Sequence, residues 1–333
     1  MAQRELVLAG DIGGTKTSLA LFSVRGEKLR VESQRNFPSK HYSGLIPVLQ
    51  EFLGGADHAI DAACFGIAGP VIDGKVKTPN LPWMVDATEL RDALKLDGVA
   101  LLNDLEAAAY GILTLESDEF LVLNQGTMRH SGNKALIAAG TGLEQALLYD
   151  NGRHFHPLPS EGGHADFAPR NELEIELLRY LIGRFNHVSY ERVVSGPGLL
   201  NIYRFLKDVR KLAEPAWLTE RLSAAHDQSA VISKAALANE APICGEALNL
   251  FVSAYGAEAG NLALRAKSVR GLYVGGGIAP KIVAKLNDGG FMRAFVDKGR
   301  YTDMLAAIPV YVVLNEQAAL RGAAYYAAFL SGD

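Results

Sequence analysis

Residues 6–22 read LVLAGDIGGTKTSLALF, an apolar run that Asp11, two glycines, a threonine and a lysine interrupt before it resumes. An apolar segment before the break and a segment rich in β-formers after it predict two strands, over residues 5–10 and 18–24, joined by a glycine turn. A buried carboxylate without a partner is costly. We therefore expect Asp11 to face a ligand or a partner beyond its own strand.

The same order of strand, glycine-rich turn and strand returns in NKALIAAGTGLEQALLYDNGR, residues 133–153. After each copy, buried strands alternate with amphipathic helices, which is typical of α/β folds. The two copies predict two related α/β domains that face one another across a cleft, with a boundary near 112–118. In the long helix near the end, Gly256 and Gly260 indicate close helix packing.

Composition excludes several classes of protein. The chain has 333 residues, 49% of them hydrophobic and 21% charged, with a net charge of −4. This predicts a folded protein with no electrostatic footprint for nucleic acid. The two cysteines, Cys64 and Cys244, supply neither a disulfide framework nor a cysteine-based zinc site. With no signal-peptide pattern and no apolar stretch near ~20 residues, we expect a cytoplasmic protein without membrane contact.

The break at Asp11 has the composition of a phosphate loop. Gly13 and Gly14 lack a Cβ, so their backbone N–H groups can approach an anion closely, and Thr15 and Lys16 add donors. Asp11 would repel a phosphate directly, so we expect it to hold Mg²⁺ or the waters of that ion. The alternative for this stretch is a tight turn with a solvated acid and lysine.

Two further glycine clusters strengthen the phosphate hypothesis. A second candidate loop consists of Gly140, Thr141 and Gly142. A third cluster ends a strand before a helix, at Gly275, Gly276 and Gly277. Together they favour a polyphosphate held from two sides, with a base and ribose against the third cluster. Neither the Walker A nor the Rossmann pattern is present, and each cluster alone is also explained as a plain connection.

Polar residues at three other places are suited to a hydroxylated substrate. Asn103 and Asp104 lie where a predicted strand meets a helix, so Asp104 could accept a hydroxyl proton and Asn103 bind a neighbouring hydroxyl. The alternative is that one of them caps the helix. Glu161 and His164, separated by two glycines, are a pair that can fix vicinal hydroxyls. Glu191 is either a further hydroxyl acceptor or a solvated charge.

Taken together, the sequence resembles the bacterial hexokinase-type glucokinases of the sugar kinase/actin/Hsp70 superfamily. The resemblance covers the whole chain, through DIGGTKTSLALF, CFGIAGPV, LLNDLEAAAYGI, SEGGHADFAP, ERVVSGPGLLNIY and GGGIAPKI. It implies two actin-like (ribonuclease H-like) α/β domains, with mixed sheets flanked by helices and a ligand cleft between them. The expected domains are a small one, residues 1–115 with 316–333, and a large one, residues 116–315.

The resemblance also implies an activity, which is ATP-dependent phosphorylation of glucose at its 6-hydroxyl, the first step of glycolysis. It implies Mg²⁺ as the cofactor with ATP, a homodimer, and Asp104 as the base. Hydroxyl binders would be Asn103, Asp104, Glu161, His164 and Glu191. The first phosphate loop would be Asp11, Gly13, Gly14, Thr15 and Lys16; the second would be Gly140 to Gly142, and the adenosine wall Gly275 to Gly277.

Two features set this chain apart within the resemblance. It lacks the cysteine-rich zinc motif of the related repressor/kinase (ROK) family, which favours the zinc-free glucokinases. In addition, the second loop reads GTGLE where the family has GTGLG. Glu144 would repel phosphates, and it could not adopt a positive φ if that position needed one. Glu144 therefore leaves a catalytically weakened sugar-sensing paralogue as one alternative. A kinase for another hexose is a second alternative, because hydroxyl-binding residue types do not distinguish one hexose from another.

Overall fold

The fold consists of two units, each with its own mixed β-sheet and flanking helices, as the sequence predicted. The structure is a computed structural model that describes residues 4–26, 28–55, 59–79 and 81–330. Unit 1 comprises Met1–Ser117 with Asn315–Asp333, and unit 2 comprises Asp118–Leu314. None of the helices within the described ranges is long and apolar enough to cross a membrane.

The strands and helices are numbered in chain order. The strands are β1 (Leu6–Ile12), β2 (Lys16–Arg25), β3 (Lys28–Pro38), β4 (Ala62–Ile67), β5 (Lys75–Lys77), β6 (Met84–Asp86), β7 (Val99–Asn103), β8 (Phe120–Asn124), β9 (Lys134–Ala139), β10 (Leu143–Asp150), β11 (Phe155–Ser160), β12 (Leu272–Gly275) and β13 (Val310–Val313). The helices are α1 (Leu45–Leu53), α2 (Ala87–Leu94), α3 (Asp104–Gly111), α4 (Glu172–Phe185), α5 (Gly196–Asp208), α6 (Ala216–Ala224), α7 (Gln228–Leu237), α8 (Pro242–Ala266), α9 (Val283–Leu286), α10 (Gly290–Val296), α11 (Thr302–Ala306) and α12 (Ala318–Phe329).

In unit 1, the main sheet has the strand order β3-β2-β1-β4-β7. The hairpin β1–β2 is antiparallel, whereas β4 and β7 run parallel to β1. Because the carboxyl ends of parallel strands meet at one edge of a sheet, Asp11 in β1 and Asn103 at the end of β7 lie at the same edge. β4 separates them, with Gly66 opposite Asp11 and Ile67 opposite Asn103.

Both faces of this sheet are buried at β1, which explains the apolar character of residues 6–9. Successive strand residues point to opposite faces, so Leu8 and Ile12 join one core cluster while Val7 and Ala9 join another. The second cluster includes residues of α12. Asp11 is the one charged residue of β1, and it lies near the strand's carboxyl end.

Two glycines bring α12 into close contact with α3. A Cβ on Gly111 would lie 1.9 Å from the carbonyl oxygen of Ala318, and one on Gly322 would lie 1.8 Å from that of Ala107. No larger residue fits at either position without a shift of the backbone. This packing fixes the position of α3, whose first residue is Asp104.

Unit 2 repeats the arrangement of the first sheet and extends it. Its strand order is β11-β10-β9-β12-β13-β8, with β9–β10 antiparallel and β12 parallel to β9. The candidate loop Gly140–Gly142 joins β9 to β10, and Gly276 directly follows β12, so both lie at one edge. The predicted close packing of the long helix is confirmed, since Cβ atoms on Gly256 and Gly260 would lie 2.2 and 2.5 Å from backbone oxygens of α10.

Candidate active site

The first glycine loop is a tight turn between β1 and β2. Gly13 N–H donates to the carbonyl of Lys16 at 2.9 Å, which closes the turn. Ser39 holds this turn through two hydrogen bonds. Its Oγ donates to the carbonyl of Gly13 at 2.8 Å, and its N–H donates to the carbonyl of Thr15 at 3.1 Å. The N–H groups of Gly14 and Thr15 form no hydrogen bond with any described residue. The turn therefore presents two backbone donors to an anion.

Asp11 lies just before this turn, in an environment that disfavours its charge. Burial, and secondarily the nearby carboxylate of Asp104, raise the pKa of Asp11 to about 6, although Lys16 acts in the opposite direction. The side chain of Asp11 accepts no hydrogen bond within the described part of the chain. A cation at this place would offset both the burial and the repulsion from Asp104.

Asn103 and Asp104 connect β7 to α3. Asn103 Oδ1 caps the helix by accepting the N–H groups of Leu105 at 3.0 Å and Glu106 at 3.4 Å. Its Nδ2 donates to the carbonyl of Gly69 at 3.2 Å. The capping alternative thus holds for Asn103, and one amide hydrogen is left for a ligand. Asp104 is the first helical residue, and its Oδ1 accepts the same Leu105 N–H at 3.0 Å, which orients the carboxylate.

The second glycine loop, in unit 2, is closed in a similar way but anchored differently. Gly140 N–H donates to the carbonyl of Gly142 at 2.9 Å, and Gly196 N–H donates to the carbonyl of Gly140 at 2.8 Å. The N–H groups of Thr141 and Gly142 have no hydrogen-bond partner among the described residues. Like the first loop, this one presents two backbone donors.

Two of the predicted sugar-binding residues, His164 and Glu191, lie beside the end of the second loop, and Glu161 precedes the turn that carries His164. Glu161 precedes a single 3₁₀ turn that ends at His164, and Glu191 lies in another such turn. His164 Nε2 is 4.0 Å from Glu191 Oε2. A Cβ on Gly163 would lie 1.8 Å from the carbonyl oxygen of Leu143, so this glycine permits close contact with the end of the loop. The structure therefore brings Glu191 and His164 together.

A polar network around the buried Glu258 is hydrogen-bonded to the turn that contains Glu191. The sequence analysis did not predict this network. Glu258 is fully buried. It accepts hydrogen bonds from the side chains of Gln145, Asn261 and Arg265. Asn261 also donates to the hydroxyl of Tyr190 at 3.1 Å, and Tyr190 directly precedes Glu191. The network thus stabilises the backbone that carries Glu191.

A cavity of about 560 Å³ opens beside the second loop. Gly140 and Thr141 line it on one side, and Gly277 lines it on another. Further lining residues, which the sequence did not reveal, include Pro197, Leu200, His226, Asp227, Ile278 and Lys281. A cavity of this size is in the range of nucleotide and other small-molecule sites.

The three glycines of the third cluster have different roles. Gly277 lines the cavity, and a Cβ there would meet nothing within 4 Å. Gly276 has φ +80°, and its Cβ would lie 2.4 Å from the carbonyl oxygen of Ala139 at the end of β9. Gly275 ends β12 and packs on Leu136. Only Gly277 of these three is among the residues that line the described cavity.

Glu144 does not need the backbone freedom of glycine. It lies in β10 in regular register opposite Ala138, and no positive φ occurs at this position. The hypothesis that position 144 requires a positive φ is therefore wrong. The strand begins at Leu143, so Glu144 already has extended backbone. Glu144 is exposed, so its charge is largely screened by solvent.

Comparison with known proteins gives a consistent answer. The glucokinase family matches residues 8–329. A glucokinase from Nostoc sp. (strain PCC 7120) is 44% identical over 342 residues, covering 98% of this chain and 99% of the relative. The crystal structure of a glucokinase from an Antarctic psychrotroph superposes with a TM-score of 0.87 at 31% identity, covering 97% of this chain and 98% of that one.

A more distant structure shares the fold. A ROK family glucokinase from Streptomyces griseus, solved in complex with glucose and AMPPNP, has a TM-score of 0.63 at 22% identity and covers 97% of this chain and 99% of its own. The full-length match to the family and the 44% identity to the Nostoc protein are decisive. This chain belongs to the glucokinase family.

Proposed function

We propose that this protein transfers the γ-phosphoryl group of ATP to the 6-hydroxyl of glucose, giving glucose 6-phosphate and ADP. Membership of the glucokinase family supports this activity. The observation that carries the proposal lies within unit 2, where one loop borders both a nucleotide-sized cavity and a carboxylate–imidazole cluster. Such a loop is suited to an enzyme that joins a polyphosphate to a hydroxylated substrate.

In unit 2, the contacts described above support the following proposed roles. The adenosine and phosphates of ATP occupy the cavity, with Gly277 against the adenosine and the N–H groups of Thr141 and Gly142 donating to phosphate oxygens. Glu161, His164 and Glu191 bind sugar hydroxyls. Of the predicted adenosine wall, Gly275 and Gly276 then act indirectly, because they hold β12 against β9.

In unit 1, Asp104 is the proposed general base. Its carboxylate accepts the proton of the 6-hydroxyl as that oxygen attacks the γ-phosphorus in line with the leaving ADP oxygen. The remaining amide hydrogen of Asn103 binds a neighbouring hydroxyl. The N–H groups of Gly14 and Thr15, together with Lys16, donate to the phosphates, and Gly13 closes the turn that presents them.

Magnesium is part of this proposal as the ion that accompanies ATP. The described residues contain no group of three or more His, Cys, Asp or Glu able to hold a metal alone. They do fit an ion held mainly by phosphate oxygens and water, since the partly buried Asp11 carboxylate has no hydrogen-bond partner among them and carries a raised pKa. When bound, Mg²⁺ supplies positive charge to the phosphates.

Assembly and location complete the proposal. We expect a homodimer, which the family resemblance supports, and sedimentation equilibrium or light scattering of the purified chain would test it. A monomer at micromolar concentration would contradict that part. We also expect the enzyme to act in the cytoplasm, where ATP is available.

A coupled ADP-release assay over a panel of hexoses tests the activity. We expect kcat/KM for glucose to exceed that for mannose, fructose and N-acetylglucosamine. A higher value for another hexose would change the assigned substrate. Measurable glucose binding without turnover of any sugar would contradict the kinase and support a sensor.

A further inference from the structure

Residues 189–196 of unit 2, which we call the bridging segment, contact two regions. One is the turn Gly162–His164, which carries a proposed sugar ligand, and the other is the second glycine loop. The bridging segment's Tyr190 N–H donates to the carbonyl of Ala165, next to His164, at 2.9 Å. At its other end, Gly196 N–H donates to the carbonyl of Gly140 at 2.8 Å. The bridging segment is therefore hydrogen-bonded to both regions.

The carboxylate of Glu191 makes a third contact in the middle of this segment. Its Oε2 accepts the N–H of Leu143, the residue that follows the loop, at 3.0 Å. The same atom lies 4.0 Å from His164 Nε2. The side chain is 25% exposed, and an ionised carboxylate has about four acceptor positions. A ligand hydroxyl can thus reach Glu191 while Leu143 remains bonded.

We infer that Glu191 couples the two substrates, because one carboxylate both accepts a sugar hydroxyl and positions the second phosphate loop. The inference rests on the proposed function, which makes Glu191 a sugar ligand. A sugar hydroxyl that orients the carboxylate also fixes Leu143 N–H, and with it the adjacent donors of Thr141 and Gly142. Coupling between binding sites is reciprocal, so nucleotide on the loop orients Glu191 for the sugar.

Two glycines of the same loop provide a matched pair of variants. A Cβ on Gly142 would lie 2.7 Å from Glu191 Oε2, whereas a Cβ on Gly140 would meet nothing within 4 Å. Neither glycine has a positive φ. Gly142→Ala therefore displaces a flexible carboxylate without straining the backbone. Gly140→Ala adds the same methyl group to the loop but leaves Glu191 in place.

The first experiment measures glucose affinity without nucleotide by isothermal titration calorimetry. We expect Gly142→Ala to weaken glucose binding by roughly 10-fold or more, the range for a hydrogen bond to a charged group, and Gly140→Ala to change it less than about twofold. Circular dichroism checks that both variants are folded. Glucose affinity unchanged in Gly142→Ala, or weakened equally in both variants, would overturn the inference.

The second experiment measures AMPPNP affinity without sugar, and it remains informative if an alanine in the loop prevents folding. Glu191→Ala should weaken nucleotide binding several-fold, because Leu143 N–H loses its acceptor. Glu191→Gln, whose amide oxygen can still accept that N–H, should stay near wild type. Glu161→Ala, which lacks a bond to the loop, should also keep nucleotide affinity while losing glucose affinity.

The two experiments separate failure of the inference from failure of the function. Equal AMPPNP affinity in Glu191→Ala and Glu161→Ala, with a wild-type protein that binds and phosphorylates glucose, would remove the coupling role and leave the kinase intact. A wild-type protein that binds no glucose would instead contradict the proposed function itself. Both measurements use the full chain.

Discussion

The two glycine loops share one construction but are anchored by different kinds of residue. Each joins two neighbouring antiparallel strands of a sheet, and each leaves two backbone N–H groups without a hydrogen-bond partner among the described residues. The first loop is held by Ser39, a fully buried side chain that also contacts Thr17. The second loop is held by Glu191, a partly exposed carboxylate.

Because of this difference, the position of the first loop depends on the fold alone, whereas the position of the second loop can also depend on a bound substrate. A loop anchored by a buried serine is positioned by the fold alone, so its geometry is independent of other ligands. A loop anchored by a carboxylate that itself binds substrate changes its stability when that substrate arrives. We therefore expect changes in the first loop to affect ATP alone, and changes around the second to affect ATP and glucose together.

The largest effect is expected for the proposed base, whose loss should leave both loops intact. Asp104→Ala should lower kcat by roughly 10²–10⁴-fold, the range for a general base, and change glucose affinity only a few-fold. Glu106→Gln, a change in the same helical turn, is the matched control and should keep kcat within about threefold. Activity within tenfold of wild type in Asp104→Ala would exclude Asp104 as the base.

A change at Asp11 tests whether the first loop affects the binding of ATP alone. Asp11→Asn keeps the size of the side chain but removes its charge, so we expect KM for Mg-ATP to rise by roughly 10- to 100-fold, as for loss of a contact between charged groups. Glucose affinity measured without nucleotide should not change. A matching loss of glucose affinity would show that the first loop also communicates with the sugar.

The same variant should be more stable than the wild type at neutral pH. The pKa of Asp11 rises from 3.8 to about 6 on folding, so the ionised form destabilises the folded state above pH ~6 by at most ~3 kcal/mol. Below pH ~4 Asp11 is protonated in both states, and the difference disappears. Urea unfolding at pH 8 and pH 4, without nucleotide or magnesium, measures this gain. Equal stability at pH 8 would contradict it.

Two buried serines allow the residues that hold each loop to be tested. Ser39 holds the first loop directly, and Ser195 holds the backbone of Glu191, which contacts the second loop. Ser195→Ala removes a hydrogen bond to the carbonyl of Glu191 at 2.7 Å and the cap of α5. It should raise KM for glucose and ATP several-fold and cost about 1 kcal/mol of stability. Ser39→Ala should cost a similar stability but raise KM for ATP only. Steady-state kinetics with each substrate varied would distinguish them, and identical patterns would break the comparison.

The smallest effect is expected for Glu144. Its charge lies beside the proposed phosphates but is exposed, so Glu144→Gly should tighten ATP binding by no more than about two- to fivefold, the range for exposed charges. Glu144→Gln should do the same, because the strand requires no glycine at this position. AMPPNP titrations of both variants measure the effect. Unchanged or weaker binding would show that Glu144 does not repel the nucleotide.

The sequence predicted those parts of the fold that have strong periodic or glycine signals. The two hairpins, the α3 start and the close packing at Gly256 were all visible in apolar runs and their breaks. Three strands were not predicted. β3 is an edge strand with mostly exposed polar residues, β11 contains two prolines, and β8 is only partly buried. The alternation that marks a half-buried strand is absent from β8 and β11, and in β3 it is limited to residues 28–32.

The candidate site was visible only where its residues form local patterns. Glu191 was ambiguous in the sequence, because its contact with Leu143 joins residues 48 positions apart. Cavity residues such as Asp227 and Lys281 carry no motif of their own, and the fold alone brings them together. The same is true of the buried Glu258, which looks in sequence like any acid in a long helix.

Stimulation of ADP formation by glucose tests the central claim most directly. The wild-type protein is assayed with Mg-ATP, with and without saturating glucose, while glucose 6-phosphate is measured by its oxidation. We predict that glucose raises the rate of ADP formation by several orders of magnitude and that one glucose 6-phosphate appears for each ADP. ADP formation at the same rate without glucose, or without the sugar phosphate, would contradict the account.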